Sequence, residues 1–542
     1  MQISEAIRGS SLAGRLVRKI DKAAYILRMY AEFILWYNQR ENDTHLTMKG
    51  AFLLEHRTCD LVVIGSGGAG MVAAGHAAEL GAKVIVLEKN KLIGGNTWFA
   101  VGTRYINSRR GRENGMGDLR DVLFRECMAK TNWRKDPRTV HRFLDEYENV
   151  YNWFDELGFA ELTGFKKLPN GMSVMEMFKR KAPHTGTEPS RGPGFVGSTI
   201  VEYMLDVCKK HDVPVLAGYR ATEIRLDVNG TVCGVTAAHG EDMLEITCKG
   251  AVVATGCFSA NRELVTRAFP EHFEKKGYYA CIGLSSATGD GITMCENVGA
   301  EVLDFVELGM PGLGHHPWTW NIHAAAGRGI TMWVNKNGER MVDEATVSMD
   351  AGKAVAARQP DALIYSVTDS HILDLLQEEL ARTLPPNEQL YLGDLHESYE
   401  KEAAQGKVHC VKGDTLEELA ENMEKVAGVN AKAFLETVAR YNGFCDKQHD
   451  DEMLKEPEYL VPLREGPFYA AQLQRFYEIT QGGIEVDHNM QVKKQGGGVI
   501  PGLYAAGDTS SASGNSLNGT GLALAFVSGY VAADEAVKHL NR

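Results

Sequence analysis

The stretch 60–90, DLVVIGSGGAGMVAAGHAAELGAKVIVLEKN, limits the fold more than any other part of the chain. It reads as a buried apolar strand, a glycine turn, a helix of small residues and a second apolar strand that ends in an acid. That order is the signature of a βαβ unit. The turn Gly65-Ser66-Gly67-Gly68-Ala69-Gly70 fits G-x-G-x-x-G. In such a turn the first glycine permits the tight bend, the second lets backbone reach a pyrophosphate, and the third lets helix and strand pack closely. The phosphates then meet the positive end of the helix. Glu88 closes the second strand, where a carboxylate can accept hydrogen bonds from a ribose.

Two further segments select FAD among the dinucleotides. Directly after the second strand comes LIGGNTWFAVG, whose glycines and small polar residues suit passage alongside an isoalloxazine ring. AVVATG at 251–256 and PGLYAAGD at 501–508 each read as a strand ending in glycine, with Asp508 placed to receive hydrogen bonds from ribityl or phosphate-side hydroxyls. The expected cofactor-binding residues are Gly65, Gly67, Gly68, Ala69, Gly70, Glu88, Lys89, Gly94, Gly95, Asn96, Thr97, Gly102, Ala221, Thr255, Gly256, Gly507, Asp508, Gly521, Leu522 and Ala523. Glycine makes up 57 of the 542 residues, above the ~7% average, and much of the excess falls in these motifs.

Composition narrows the function classes. A net charge of −13 opposes nucleic-acid binding, which requires a basic face. The ten cysteines contain no C-x-x-C, which removes the common signatures of iron–sulfur, zinc and c-type haem sites. Scattered thiols in a chain of this length read as reduced, and the compartment as cytoplasmic. No apolar run is long enough to span a membrane. Residues 1–57 are helical in period, and Arg8, Arg15, Arg18, Lys19, Lys22 and Arg28 are nearly unopposed. Such a segment suits docking on a partner or on a second copy of the chain; membrane-surface association is the alternative.

Along the chain, 118–160 reads as helical and the stretch 166–195 as loop-rich. Short strands fill 213–256, with Asn229-Gly230 as a hairpin-type turn, and a helix is expected over 289–303. From about 310 to 465 mixed helices and long loops suggest a separate inserted domain. Strands return at FYAAQLQ and GLYAAGD before a closing helix.

The segments VVIGSGGAG and VIVLEK, IGGNT, ATG and ATGDG, VNKNGERMVDE, LEELAENMEKVAGVNAKAFLETVARYN, GPFYA and PGLYAAGD together resemble the fumarate reductase/succinate dehydrogenase flavoprotein superfamily. That group includes the 3-ketosteroid dehydrogenases and urocanate reductase-like enzymes. The resemblance spans roughly residues 58–540. It implies an α/β fold: a Rossmann-type FAD-binding domain built from 58–310 and 466–542, an inserted α+β capping domain at 311–465, and an N-terminal helical extension at 1–57. The substrate would lie on the flavin at the domain junction, with hydride passing through flavin N5. Asn96 stands where succinate dehydrogenases carry the histidine that binds flavin covalently, so FAD is expected to be noncovalent. The electron partner would be external: a quinone, a flavin or a redox protein.

The family's dicarboxylate chemistry does not carry over. The substrate-facing arginine ten residues past the loop acid corresponds to Asn518, and the proton-donor arginine after the DE dipeptide corresponds to Ser348. Glu478-Ile479-Thr480-Gln481 replaces the histidine-threonine-methionine pattern before Gly482-Gly483. A diacid would lose the charge-assisted hydrogen bonds that hold it. The tyrosine that ketosteroid dehydrogenases place in the same loop corresponds to Leu517. Candidates for substrate and proton chemistry are Tyr105, His316 (beside His315), Arg328, Tyr477 and the wall residue Asn518. The expected activity is reduction or introduction of a C=C bond next to a carbonyl in a neutral or apolar enone, steroid-like or aromatic enoate substrate. The alternative is an electron-transfer flavoprotein subunit that docks through its N-terminal helices.

Overall fold

The computed structural model describes residues 54–541, apart from 101, 159–162, 168–173, 179–196, 271–278, 282–283, 310–311, 315–319, 347–354, 357, 385–391, 407, 478, 515–516 and 518. The basic segment 1–53 therefore lies outside the described residues.

The two apolar strands of the glycine motif form the middle of a six-stranded sheet. Leu61–Ile64 lies between Val84–Glu88 and Gly250–Val253, with Val215–Ala217 beyond one and Val499–Ala505 beyond the other. These five strands are parallel, and Gln491–Lys493 adds an antiparallel edge. Every residue of Leu61–Ile64 and of Val84–Glu88 is buried, as expected of a parallel sheet covered on both faces. The sheet thus joins residues near 60, 250 and 500, and the strand at PGLYAAGD is part of the nucleotide-binding core.

The helix Gly68–Glu79 covers one face and packs against the C-terminal helix Gly521–Leu540. Small residues set the separation of the pair: a Cβ on Gly529 would sit 2.3 Å from the carbonyl oxygen of Ala69. On the same helix pair His76 stacks on Tyr530, with ring centroids 3.8 Å apart, and meets Trp153 edge-on at 5.5 Å. Neither imidazole nitrogen has a hydrogen-bond partner among the described residues. Burial pushes its pKa down to about 4, with the charge of Asp534 opposing the shift.

A second sheet is a meander in which Asp242–Thr247, Val232–His239 and Arg220–Leu226 run antiparallel. The turn at Asn229-Gly230 is closed by Asp227, whose carboxylate accepts from the backbone N–H of Asn229 and of Thr231. Leu54–Thr58 joins this sheet as a parallel edge, so the last residues assigned to the helical extension are strand.

Residues 322–473 build a hydrophobic core of their own. Its sheet has the order Tyr279–Cys281, Phe468–Tyr477, Ile364–Asp369, Met332–Asn335, and the helices Ser370–Thr383, Leu416–Ala427 and Ala431–Lys447 contribute buried faces. Inside it Arg340 pairs with Glu344 at 2.9 Å and with Asp450 at 3.0 Å, and Lys455 reaches Glu344 at 3.2 Å. Two cations and two anions therefore compensate one another out of water, the condition under which such charges are tolerated in a core. The strand Phe468–Tyr477 is central to this second sheet, although the boundary expected at 466 assigned it to the nucleotide-binding part.

Two local expectations are corrected. The loop-rich stretch contains an antiparallel hairpin, Thr163–Lys167 with Val174–Phe178, extended by Gly102–Arg104. The helix expected over 289–303 stops at Asn297, because Gly299 takes a left-handed conformation (φ +82°) and the chain turns into the strand Val302–Gly309. Among the described residues no helix is long and apolar enough to cross a membrane. Every described cysteine side chain is a free thiol.

Two stability effects follow. Alanine at an open helical glycine ordinarily gains ~1 kcal/mol. Gly529→Ala should instead cost about 1–3 kcal/mol in denaturant melts, because the added carbon meets backbone that cannot yield. His76 has a folded pKa below its unfolded value, so its contribution is present above pH ~6.5 and is lost as pH falls towards 4, by up to about 3 kcal/mol. His76→Phe keeps the stack and cannot be protonated, so its melting temperature should fall less than that of the native protein over that window.

Candidate functional site

A cleft of about 870 Å³ opens at the carboxyl ends of Leu61–Ile64, Gly250–Val253 and Val499–Ala505. That is the place where open α/β sheets bind ligands. The loops lining it come from all three strands and from the segment after Val84–Glu88. They bring together Gly65, Gly67, Gly68, Ala69, Glu88, Lys89, Gly95, Asn96, Thr97, Ala221, Thr255, Gly256, Gly507 and Asp508.

The glycines divide into two groups. Gly65 (φ +106°) and Gly70 are required by the fold: a Cβ would sit 2.3 Å from the Ala254 carbonyl oxygen at the first and 1.9 Å from the Gly65 carbonyl oxygen at the second. Gly67 is different, and so in their surroundings are Gly95 (φ +51°) and Gly256 (φ +73°), whose left-handed backbone favours glycine as well. A Cβ at Gly67 would meet only the Gly94 oxygen at 3.9 Å, one at Gly95 only the Gly67 Cα at 3.9 Å, and one at Gly256 nothing within 4 Å. Bare backbone faces open space at these three positions, which leaves room for a ligand to approach the main chain. The residues present therefore fit a dinucleotide.

Side chains fix the shape of the turn. The Glu88 carboxylate accepts from the Ser66 hydroxyl at 2.6 Å and the Ser66 amide at 3.1 Å, and its other oxygen accepts from the Asn90 amide at 2.8 Å. Thr97 Oγ1 accepts from the Gly68 amide at 2.8 Å, which ties the 3-10 helix Gly95–Phe99 to the start of Gly68–Glu79. The Asn96 amide lies 3.5 Å from the Cys257 thiol. Lys89 donates to Thr288 at 2.6 Å and pairs with Asp290 at 3.2 Å, and Arg220 grips the same carboxylate at 2.9 and 3.0 Å. Burial acts to raise the Asp290 pKa, but bonds from Arg220 and Thr288 and the charge of Lys89 hold it below the ordinary carboxylate value. Ser66, Arg220 and Asp290 line the cleft, yet the sequence reading assigned them no role. The ATGDG motif that carries Asp290 was the available signal.

The C-terminal segment closes the other side. Gly507 donates its amide to Ser528 Oγ at 2.9 Å, Thr255 and Thr509 share a hydroxyl contact at 3.3 Å, and Asp508 accepts from Ser513 Oγ at 3.1 Å. Beyond Asp508, residues 510–514 are buried, with Leu517 and Thr520. Lys135, 4% exposed, points its ammonium at this loop and donates to the carbonyls of Ala512 at 2.9 Å, Ser513 at 2.6 Å and Gly514 at 3.1 Å. Burial pushes its pKa down to about 8, against the opposing charges of Cys127, Glu307 and Glu485. No sequence signal marked Lys135, because a lysine between two helices reads as a solvated residue.

Other expected residues stand apart from the cleft. Gly94 (φ +115°) shapes a turn and donates its amide to Ser66 Oγ, and Gly102 sits in a strand edge beside Met177. Gly521, Leu522 and Ala523 begin the C-terminal helix, while Gly70 is a packing glycine. Tyr105 does not line the cleft; its buried phenol donates to the Gly117 carbonyl at 3.0 Å, and its ring lies against Gly111. Arg328 is likewise elsewhere, in the second core, paired with Glu379 at 3.2 Å and bonded to the Ala324 carbonyl. Both side chains are engaged away from this cleft, and neither lines it. Tyr477 is buried and donates to the Ser259 carbonyl at 2.7 Å, close in sequence to Cys257 on the cleft wall. His315, His316, Ser348, Glu478 and Asn518 lie outside the described residues.

A family profile described as FAD binding domain matches residues 60–522. The chain is 26% identical to the vinyl phenol reductase of Lactiplantibacillus plantarum, over 90% of this chain and 98% of that protein. It is 27% identical to the NADH:fumarate oxidoreductase of Klebsiella pneumoniae over 89% of this chain, and spans about half of that longer relative (48%). Among solved structures, an open-conformation flavocytochrome c3 fumarate reductase aligns with a TM-score of 0.65 at 22% identity, over 90% of this chain and 79% of that one. The 3-ketosteroid-Δ4-(5α)-dehydrogenase of Rhodococcus jostii RHA1 gives 0.62 at 21%, over 91% and 98%.

The two groups of glycines can be told apart by substitution. Gly67→Val places carbon in the open cleft at an ordinary backbone conformation (φ −69°), so it should leave the melting temperature of the cofactor-free protein nearly unchanged. FAD affinity, measured by flavin fluorescence, should fall roughly 100-fold, about 2.7 kcal/mol. Glycines that leave bare backbone facing the cleft, an acid closing the second strand and a third strand from the C-terminus agree with the profile match, and the chain belongs to the FAD binding domain family, as an FAD-dependent oxidoreductase.

Proposed function

We propose that the protein reduces or introduces a C=C bond next to a carbonyl in a neutral or apolar substrate, an enone, a steroid-like ketone or an aromatic enoate. The observation that carries this reading is the neutral loop 509–520, which has no charged side chain, and whose nearest buried cation, Lys135, is engaged by three backbone carbonyls. The cations at the cleft are engaged as well: Lys89 and Arg220 share Asp290. Among the described residues at the cleft, a diacid would have to break these pairs to find a cation. Asn518 and Ser348, at the positions of the family's two arginines, point the same way. The whole-length similarity to a vinyl phenol reductase supports a neutral aromatic substrate, one whose alkene is conjugated to a ring in place of a carbonyl.

FAD, when bound, supplies the hydride chemistry. The chain's residues bind and orient it: backbone at Gly67, Gly95 and Gly256 approaches the cofactor, Glu88 with Ser66 holds the ribose end, and Asp508 and Thr255 serve the third strand's side. We take FAD to be noncovalent, because Asn96 offers an amide where a covalent link needs an imidazole. The unit around the second core acts as the cap. Residues 1–53 dock on a partner, a second copy or a membrane surface, and an external electron carrier completes the cycle. His316, Tyr477 and Asn518 remain the proposed groups for substrate and proton.

The test is anaerobic. The purified protein is reduced with dithionite and mixed with 2-cyclohexenone, methyl cinnamate, 4-vinylphenol, a steroid enone or fumarate, and flavin absorbance is followed. At least one neutral compound should reoxidise the flavin about tenfold or more faster than fumarate does. Fastest reoxidation by fumarate would overturn the reading.

A further inference from the structure

Lys135 sits in the connection between the helices Arg120–Lys130 and Pro137–Glu156, and no carboxylate lies within ion-pair distance of it among the described residues. An ammonium has three N–H donors and no acceptor. Here the three successive carbonyls of 512–514 take all of them, and the Phe305 ring lies 5.1 Å from the charge. A carbonyl turned towards Lys135 is withheld from the other side of the loop. The middle residue, Ser513, carries the constraint onward, because its hydroxyl donates to Asp508 on the cleft wall.

We propose that Lys135 is the positioning residue that shapes the substrate-facing loop at 512–514, by clamping three consecutive backbone carbonyls and coupling that segment to Asp508. The proposal rests on the reading that this loop faces substrate. It explains why a cation is buried beside a neutral loop without a carboxylate partner: its charge-assisted bonds to carbonyls are strong and directional, and they hold the wall without presenting charge to the ligand.

The clamp depends on protonation. The groups facing Lys135 are Cys127 from Arg120–Lys130, Glu307 from Val302–Gly309, and Glu485 just past Ile479–Ile484. Arg134 shares the Phe305 ring at 5.4 Å, Asp136 is its chain neighbour, and Asp508 lies one hydrogen bond beyond Ser513. With a folded pKa near 8, the amine above that pH keeps two N–H donors for three carbonyls. The folded value lies below the unfolded ~10.4, so between the two the unfolded chain binds more protons, and this group does not make the fold less stable as pH rises. A loss of activity in that window therefore reports on the wall and not on unfolding.

The experiment uses the FAD-loaded protein with 4-vinylphenol as probe, and hydrogen exchange of the peptide 508–520 as a readout independent of turnover. Lys135→Met should raise KM about tenfold or more, accelerate exchange in 512–520, and leave FAD affinity within about threefold. In the native protein kcat/KM should fall above about pH 8, and Lys135→Gln, which cannot titrate, should lack that limb. Leu517→Ala controls for the wall itself. If it raises KM while Lys135→Met changes neither KM nor exchange, the proposal is overturned. If neither variant moves KM, the loop does not face substrate, and the proposal falls with that reading. Should 4-vinylphenol not be turned over, hydrogen exchange decides, and unchanged exchange in Lys135→Met would overturn the clamp. Should Lys135→Met not fold, the pH profiles of the native protein and Lys135→Gln decide: an alkaline limb in both, or in neither, overturns it.

Discussion

The contact of backbone on backbone at Gly65, Gly70 and Gly529 is the constraint on which the rest of the structure depends. At Gly65 the chain passes so close to Ala254 that a side-chain carbon would sit 2.3 Å from its carbonyl oxygen, and at Gly529 the C-terminal helix lies equally close to the carbonyl of Ala69. The first contact brings the strand ends near 64 and 253 together. The second presses the last helix against the first. The cleft exists because three segments distant in sequence meet here.

Much of this was legible in the sequence because the relevant signals are local. A strand, a glycine turn and a small-residue helix occupy one continuous stretch, and each of their residues depends on neighbours a few positions away. Pairing between distant strands is not local. Phe468–Tyr477 reads as a strand, but nothing in its residues tells which sheet it joins, and it belongs to the second core. The hairpin Thr163–Lys167 with Val174–Phe178 escaped notice because polar and turn-forming residues around it mask the strand period.

The candidate site shows the same division. Its glycines and Glu88 could be assigned from spacing, because backbone approach to a ligand demands glycine wherever it occurs. Tyr105 could not be judged that way: a tyrosine beside the flavin segment looks chemically useful until its phenol is found on the Gly117 carbonyl. Arg328 failed for a related reason, since register within a loop-containing segment decides which surface a side chain reaches, and Glu379 holds it elsewhere. Lys135 was invisible because its partners are carbonyls some 380 positions away, and carbonyls carry no sequence identity.

Charge placement links fold to chemistry. Arg104 is bound to Glu126, Lys89 and Arg220 share Asp290, and Lys135 is held by carbonyls, so each of these cations already has its partner inside the protein. Recruiting any of them for a substrate carboxylate would strand a buried group, Asp290 or the carbonyls of 512–514, at a cost of about 1–3 kcal/mol or more. A neutral ligand carries no such penalty, because it asks only for an apolar surface and a few fixed dipoles. The loop 509–520 carries no charged side chain, with Leu517 buried in it and the Arg104 amide bound to the Gly519 carbonyl. The neutrality of the loop's own residues is therefore matched by the charges around it, with Lys89 and Arg220 held by Asp290 and Lys135 by carbonyls.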